Sequence, residues 1–182
     1  MVPPESSKTP QGAANSVTPC DVLDILRARG WLAGEPAAAQ LAWCERAAAL
    51  LGPQVTDRRS LADLLEMVFH YNAQEILAKV ESHSVLARYA ARDVLRHLAL
   101  ILLDGTMLST DRFKEVINAL KEKVGISSRE LFHPIRLALT GRAGEGELDR
   151  VILLLDEAAA VSFSVHVKPA RERIVEFCAA LD

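Results

Sequence analysis

The residues of this chain best equipped for chemistry are arginines, and their chemistry is the holding of anions. Arg136 stands inside Leu131-Phe132-His133-Pro134-Ile135-Arg136-Leu137-Ala138-Leu139-Thr140-Gly141-Arg142, an apolar stretch that ends on a glycine and a second arginine, Arg142. A guanidinium is planar and permanently charged, and its fork of donors matches carboxylates and phosphates. Its stem can also pack while its head finds a carboxylate or carbonyl nearby. Arg88, Arg92 and Arg96 recur every four residues, and Arg58-Arg59 add a further basic pair. Like charges at helical spacing repel by about 0.2–0.5 kcal/mol per pair. Solvent and acids on neighbouring helices can offset that cost, or bound phosphates can do so.

Nothing comparable supports catalysis. Asp93 and His97 lie one helical turn apart, with no nucleophile or oxyanion donor near them in sequence. His133 beside Pro134 suits a capping or packed role, and Trp31 and Trp43 suit core anchors. Cys20, Cys44 and Cys178 form no CxxC pair and the histidines are scattered, which speaks against a metal site or a disulfide framework. There is no GxxxxGK[ST] loop, and the glycines at 141, 144 and 146 follow a helix in the wrong order for a dinucleotide fingerprint. The expectation is no catalytic residue, no metal ligand and no cofactor. A net charge of −3 gives no global attraction to polyanions, so any such binding needs a local patch.

The elements that position these residues read as helices. Half the residues are hydrophobic and only 5% aromatic, with Ala and Leu abundant, which favours an all-α fold. Residues 1–17 are rich in Pro, Ser, Gln, Gly and Asn and read as a disordered tail. Thr18-Pro19-Cys20-Asp21 is a helix start and Gly30 a stop. A second helix is expected over 36–51, with Leu41, Ala48 and Leu51 inward. Ser60 is expected to cap a third, broken near His70-Tyr71-Asn72. The longest helix is predicted over 84–104, carrying the three spaced arginines opposite Leu86, Ala90, Val94, Leu98 and Ile101. Ser109 or Thr110 opens the next, Pro134 is expected to begin another that Gly141 closes, and further helices start near Leu148 and Pro169. Residues 161–168 alternate apolar and polar, the period of an extended segment or strand that could pair with a second copy. A turn at Gly105 divides the chain into helical subdomains over 18–104 and 105–182.

From about Asp57 to Asp156 this order resembles the C-terminal, anticodon-binding part of bacterial glutamyl-tRNA synthetases. The block Leu131–Arg142 is similar to that family's "lf-x-P-[LV]-R-x-A-[LI]-T-G" signature, and Arg58-Arg59-Ser60-Leu61-Ala62-Asp63-Leu64 resembles its basic segment upstream. The resemblance implies an all-α fold of two successive helical-bundle subdomains that reads anticodon bases. It places Arg136 and the loop containing Glu145, Gly146 and Leu148 near them. Unpaired bases expose edges and faces, and a rigid helix end with an arginine and a close-approach loop suits them. The chain departs from the family in carrying Glu145-Gly146-Glu147-Leu148 where a Pro-containing loop is usual. It also has no HIGH-like or KMSKS-like catalytic pair.

The sequence therefore implies a non-catalytic module binding tRNA or structured RNA through Arg136, Arg142, Gly146, Leu148, Arg58, Arg59, Arg88, Arg92 and Arg96. The alternatives are a protein-interaction or regulatory module that kept the fold without the RNA, or the tRNA-binding piece of a split synthetase with a separate catalytic subunit. A homodimer through 161–168 is a further expectation. The opening residues lack the apolar core of a signal peptide and Leu98–Leu103 is too short to span a bilayer, so a cytoplasmic protein with no membrane association is expected.

Overall fold

Thr18 and Asp21 show how locally this chain specifies its first helix. The Thr18 N–H and hydroxyl both donate to the Asp21 carboxylate at 2.8 Å, while the Asp21 N–H donates back to the Thr18 hydroxyl oxygen at 3.3 Å. Pro19 takes the first helical position, where its missing N–H costs nothing. In the computed structural model, which describes residues 16–182, this start opens α1 (Pro19–Ala28). Most of the tail expected over 1–17 lies outside the described residues. Nine more α-helices follow: α2 (Ala38–Leu51), α3 (Arg58–Phe69), α4 (Ala73–Leu77), α5 (Val80–Leu86), α6 (Ala91–Leu102), α7 (Thr110–Val124), α8 (Ser128–Thr140), α9 (Glu147–Ala160) and α10 (Ala170–Leu181). The fold is all-α, and no strand occurs among the described residues.

Several expectations need correction. Asp57, not Ser60, caps α3: its carboxylate accepts from the Ser60 N–H at 2.7 Å, so Arg58 and Arg59 stand in the first helical turn. Leu41 faces solvent, and α2 instead turns Trp43, Cys44 and Ala47 inward. The helix predicted over 84–104 is two helices. Ala90 adopts a left-handed φ of 61° and ends continuity between α5 and α6, which leaves α7, at 15 residues, the longest. No glycine or proline marks that break, so local propensity could not reveal it.

Pro134 lies inside α8 rather than at its start. A proline there removes one backbone bond to the residue four positions back, Glu130, which lies in the exposed first turn of α8. The buried proline ring adds packing in return.

Residues 161–168 are irregular rather than a strand, because their apolar side chains and backbone groups serve other elements. Phe163 joins Trp43 and Phe69 edge-on at 5.3 and 5.0 Å, and Val167 is buried. The Ser164 N–H donates to the Trp31 carbonyl at 2.8 Å, and the Gln40 amide donates to the Ser162 carbonyl at 2.6 Å. Trp31 stacks on Phe69 at 4.7 Å, so both tryptophans are core anchors as expected.

The centre is organised by a fully buried cation. Arg173 of α10 donates to the carbonyls of Met67 and Val68 at the end of α3, Leu139 at the end of α8, and Lys168. The last turn of a helix carries unsatisfied carbonyls and partial negative charge, so one guanidinium closes two helix ends at once. Tyr71 lies under it, 4.7 Å from ring centre to guanidinium, and donates its hydroxyl to the Ala138 carbonyl. Burial pushes the Arg173 pKa down to about 10, which leaves it charged at neutral pH.

Candidate nucleic-acid interface

The end of α8 and the loop that follows are built by three residues of the distinctive block. Thr140 turns its hydroxyl back to the Arg136 carbonyl at 2.8 Å and stays inside the structure. Gly141 takes φ 84°, and a Cβ there would meet the Ile76 side chain at 3.1 Å, so both conformation and space call for glycine. Arg136 then fixes the loop. Its Nε and Nη2 donate to the two carboxylate oxygens of Asp149 at 2.7 and 2.8 Å, and its Nη1 donates to the Gly144 carbonyl at 3.0 Å.

This geometry corrects the picture of Arg136 as a head offered to a ligand. Only 7% of the residue is exposed, and its guanidinium also lies 4.8 Å from the Phe132 ring. A bidentate arginine–carboxylate pair is among the strongest charge-assisted contacts. Arg136 is a strut that holds the 142–146 loop between α8 and the first turn of α9. Leu148 is 2% exposed and anchors the start of α9 in the core, whereas Gly146 lies at the surface.

The same strut changes the electrostatics expected from the acidic loop. Asp149 is neutralised by Arg136, and Glu145 pairs with Arg129 of α8 at 3.4 Å. Two carboxylates that would repel a polyanion therefore have cations of their own. Arg142 is exposed and lines a cleft of about 250 Å³ between the ends of α3 and α8 and the start of α4. Lys79, His70 and Asn72 share that cleft with Asp63, Glu66 and Glu75, and Glu75 is paired with His70 at 3.0 Å.

The remaining sequence-selected arginines lie on other elements. Arg58 is an exposed side chain 3.9 Å from Asp24, and Arg59 forms no ion pair among the described residues. Both stand at the positive end of α3, where a cation is disfavoured by the helix dipole. Arg92 and Arg96 are exposed on α6, with Arg96 3.9 Å from Asp93. Arg88 is not on that helix. It sits in the break before α6 and donates from Nη1 to His133 Nδ1 at 2.7 Å. Burial, followed by the positive field of Arg88, holds the His133 pKa below its usual 6.5. That contact brings the α5–α6 turn alongside α8.

Sequence reading missed Arg173 and Tyr71, the pair that sets the end of α8. Arg173 is flanked by Glu172 and Ile174 in an amphipathic helix, and no local signal distinguishes it from a surface arginine. Among the described residues, no group of three or more His, Cys, Asp or Glu side chains could hold a metal ion, and no helix is long and apolar enough to cross a membrane.

A family model described as an anticodon binding domain matches residues 22–161. A glutamate–tRNA ligase of Exiguobacterium sibiricum is 30% identical over 133 residues, covering 73% of this chain and 27% of that protein. Glutamate–tRNA ligase 2 of Syntrophus aciditrophicus is 27% identical over 115 residues, 63% of this chain and 23% of that one. The Bacillus subtilis glutamate–tRNA ligase is 27% identical over 139 residues, 76% and 28% respectively. The chain thus spans about a quarter of the length of these curated relatives. No solved structure gives a significant match. With the all-α fold, the 131–142 block and the matched span in agreement, the chain belongs to the anticodon binding domain family.

Proposed function

We propose that this chain binds the anticodon region of a tRNA, or a structured RNA presenting a similar loop of unpaired bases, without performing chemistry itself. One observation carries the reading. The loop after α8 is held in a single geometry by Arg136, Asp149 and Gly144, with Arg142 at its exposed edge, Glu145 paired to Arg129, and Glu147 in no ion pair among the described residues. Such a loop approaches bases without having to be ordered by them, which lowers the cost of binding. Arg142, Arg58, Arg59, Arg88, Arg92 and Arg96 are the proposed cationic contacts, the Gly146 backbone is a close-approach point, and Arg136 and Leu148 position the loop.

The curated relatives are glutamate–tRNA ligases, and the protein partner this reading favours is a synthetase catalytic chain, with translation in the cytoplasm as the setting. The expected strand-paired homodimer loses its support, since the backbone at Ser162 and Ser164 is bonded within the chain.

A protein-interaction role draws on a different surface. Leu100 of α6 and Leu103, which follows that helix, are exposed, and Leu103 shares an apolar groove with Pro169 and Val175. Titration of labelled tRNA into the chain separates the two readings. Binding well above that of an unrelated acidic protein, lost on Arg142→Ala but kept on Leu103→Ser, supports the RNA reading. No binding, together with capture of a catalytic chain that Leu103→Ser abolishes, supports the other.

A further inference from the structure

Tyr89 is 88% exposed in the turn between α5 and α6. Its ring joins no aromatic or cation–π pair among the described residues, and its hydroxyl makes no hydrogen bond there. A solvated tyrosine with no packing role has nothing in the fold to account for it. The backbone that presents it is itself strained. Ala90 holds φ 61°, ψ −1° without being glycine, a conformation that disfavours any residue with a Cβ. Left-handed residues of this kind persist where surrounding structure imposes them, and they cluster at functional sites.

The break also decides where the ring goes. In an unbroken helix Tyr89 would lie three residues after half-buried Leu86, beside the inward stripe. Because α5 has already ended at Leu86, the turn leaves it outside instead. Arg88 precedes it directly and Arg92 follows three residues on, with Ala90 and Ala91 between. Arg88 is fixed at one guanidinium nitrogen by His133, and Arg92 is exposed on the first turn of α6 without a carboxylate partner among the described residues. His133 lies one turn before Arg136 on α8, so the turn borders the helix that carries the loop described above.

We propose that Tyr89 is a stacking platform for one unpaired RNA base, with Arg88 and Arg92 holding the phosphates on either side. The proposal rests on the RNA-binding reading and adds the chemical group contacted, the face of a base rather than its edge. An aromatic face binds any base, and arginines beside it follow the backbone, the combination that single-stranded nucleic acid requires. A protein hot spot would be expected within an apolar, enclosed surround, which this turn lacks.

The test uses the full chain, with Tyr89→Ala and Tyr89→Phe variants, against three RNAs. They are a seven-nucleotide single strand, a stem–loop with the same nucleotides in its loop, and a fully paired duplex, the first two carrying 2-aminopurine. The unchanged chain and Tyr89→Phe are expected to bind the unpaired RNAs equally and quench the fluorophore. Tyr89→Ala should lose roughly 5- to 100-fold in affinity together with the quench, at an unchanged melting temperature. Equal binding by Tyr89→Ala overturns the platform and leaves the anticodon reading standing, whereas a duplex bound as tightly as the stem–loop overturns both. Tyr89-dependent binding of the single strand without any preference for the stem–loop keeps the platform and removes the anticodon reading. Failure of the unchanged chain to bind any of these RNAs overturns both.

Discussion

Two buried arginines hold α8, and they are answered in opposite ways. Arg173 is 0% exposed and donates only to carbonyls, four of them, at the ends of α3 and α8 and at Lys168. Arg136 meets a carboxylate bidentately and one loop carbonyl at the edge of the structure. The interior site joins secondary-structure elements that are otherwise complete. The peripheral site shapes a loop with no regular structure of its own. Burial of charge therefore does two jobs in this molecule.

Removing Arg173 should break the molecule. Arg173→Ala leaves buried carbonyls without donors, and the loss is expected at about 3–5 kcal/mol. Urea unfolding should show it as a lowered midpoint at unchanged slope. Arg173→Lys should recover only part, because an ammonium cannot reproduce the planar fork. If Arg173→Ala unfolds like the unchanged chain, the interior site is not the organising contact described here.

Arg136→Ala should cost less, about 1.5–3 kcal/mol, because Asp149 is partly exposed and can regain water. A double-mutant cycle with Asp149→Ala should show strong coupling between the two positions. Additivity would mean that the pair does not hold the loop.

Acid should weaken the fold in a defined window. The two Thr18 donors hold Asp21 below the ordinary aspartate value. Burial pushes Glu176 up, yet Lys168 and the Ala73 N–H overcome it and leave it lowered. A carboxylate that titrates lower in the folded than in the unfolded chain stabilises fully above its ordinary value, roughly pH 4–5. That stabilisation fades as pH falls through the folded values. His133, also depressed, adds a smaller loss that begins as pH drops below about 6.5. Melting temperature against pH should therefore decline gently below neutrality and more steeply in the carboxylate range. Carbon-detected titration should place the His133 midpoint below 6.5.

Arg142→Ala marks the other end of the comparison. The side chain is exposed, so stability should move by no more than about 0.5 kcal/mol, while RNA affinity falls. Arg136→Ala should weaken both, since it removes a strut and not a direct contact.

What the sequence revealed follows the same division. Signals confined to a few residues were legible: the Thr18–Asp21 cap, the Gly141 stop, and the spacing of Pro, Arg, Thr and Gly in the 131–142 block. Features decided by tertiary packing were not. The break at Ala90 runs against a helix-favouring Ala-Arg-Tyr-Ala sequence, and Pro134 is carried inside α8 by an entry further upstream at Ser128. Arg136 was recognisable as special, but its partner lies thirteen residues away across a turn, and pattern alone could not show that its head points inward. Arg173, which governs the end of α8, gave no local sign.

The most direct test of the central claim is the salt dependence of tRNA binding by the unchanged chain and by Arg142→Ala. Phosphate contacts release counterions, so log affinity should fall linearly with log salt, and the slope should drop by about 1 when one contacting arginine is removed. A measurable affinity with that slope, reduced in Arg142→Ala at unaltered stability, is the predicted result. Absent binding, or a slope that Arg142→Ala leaves unchanged, would contradict the assignment of the loop edge as an RNA-contacting surface.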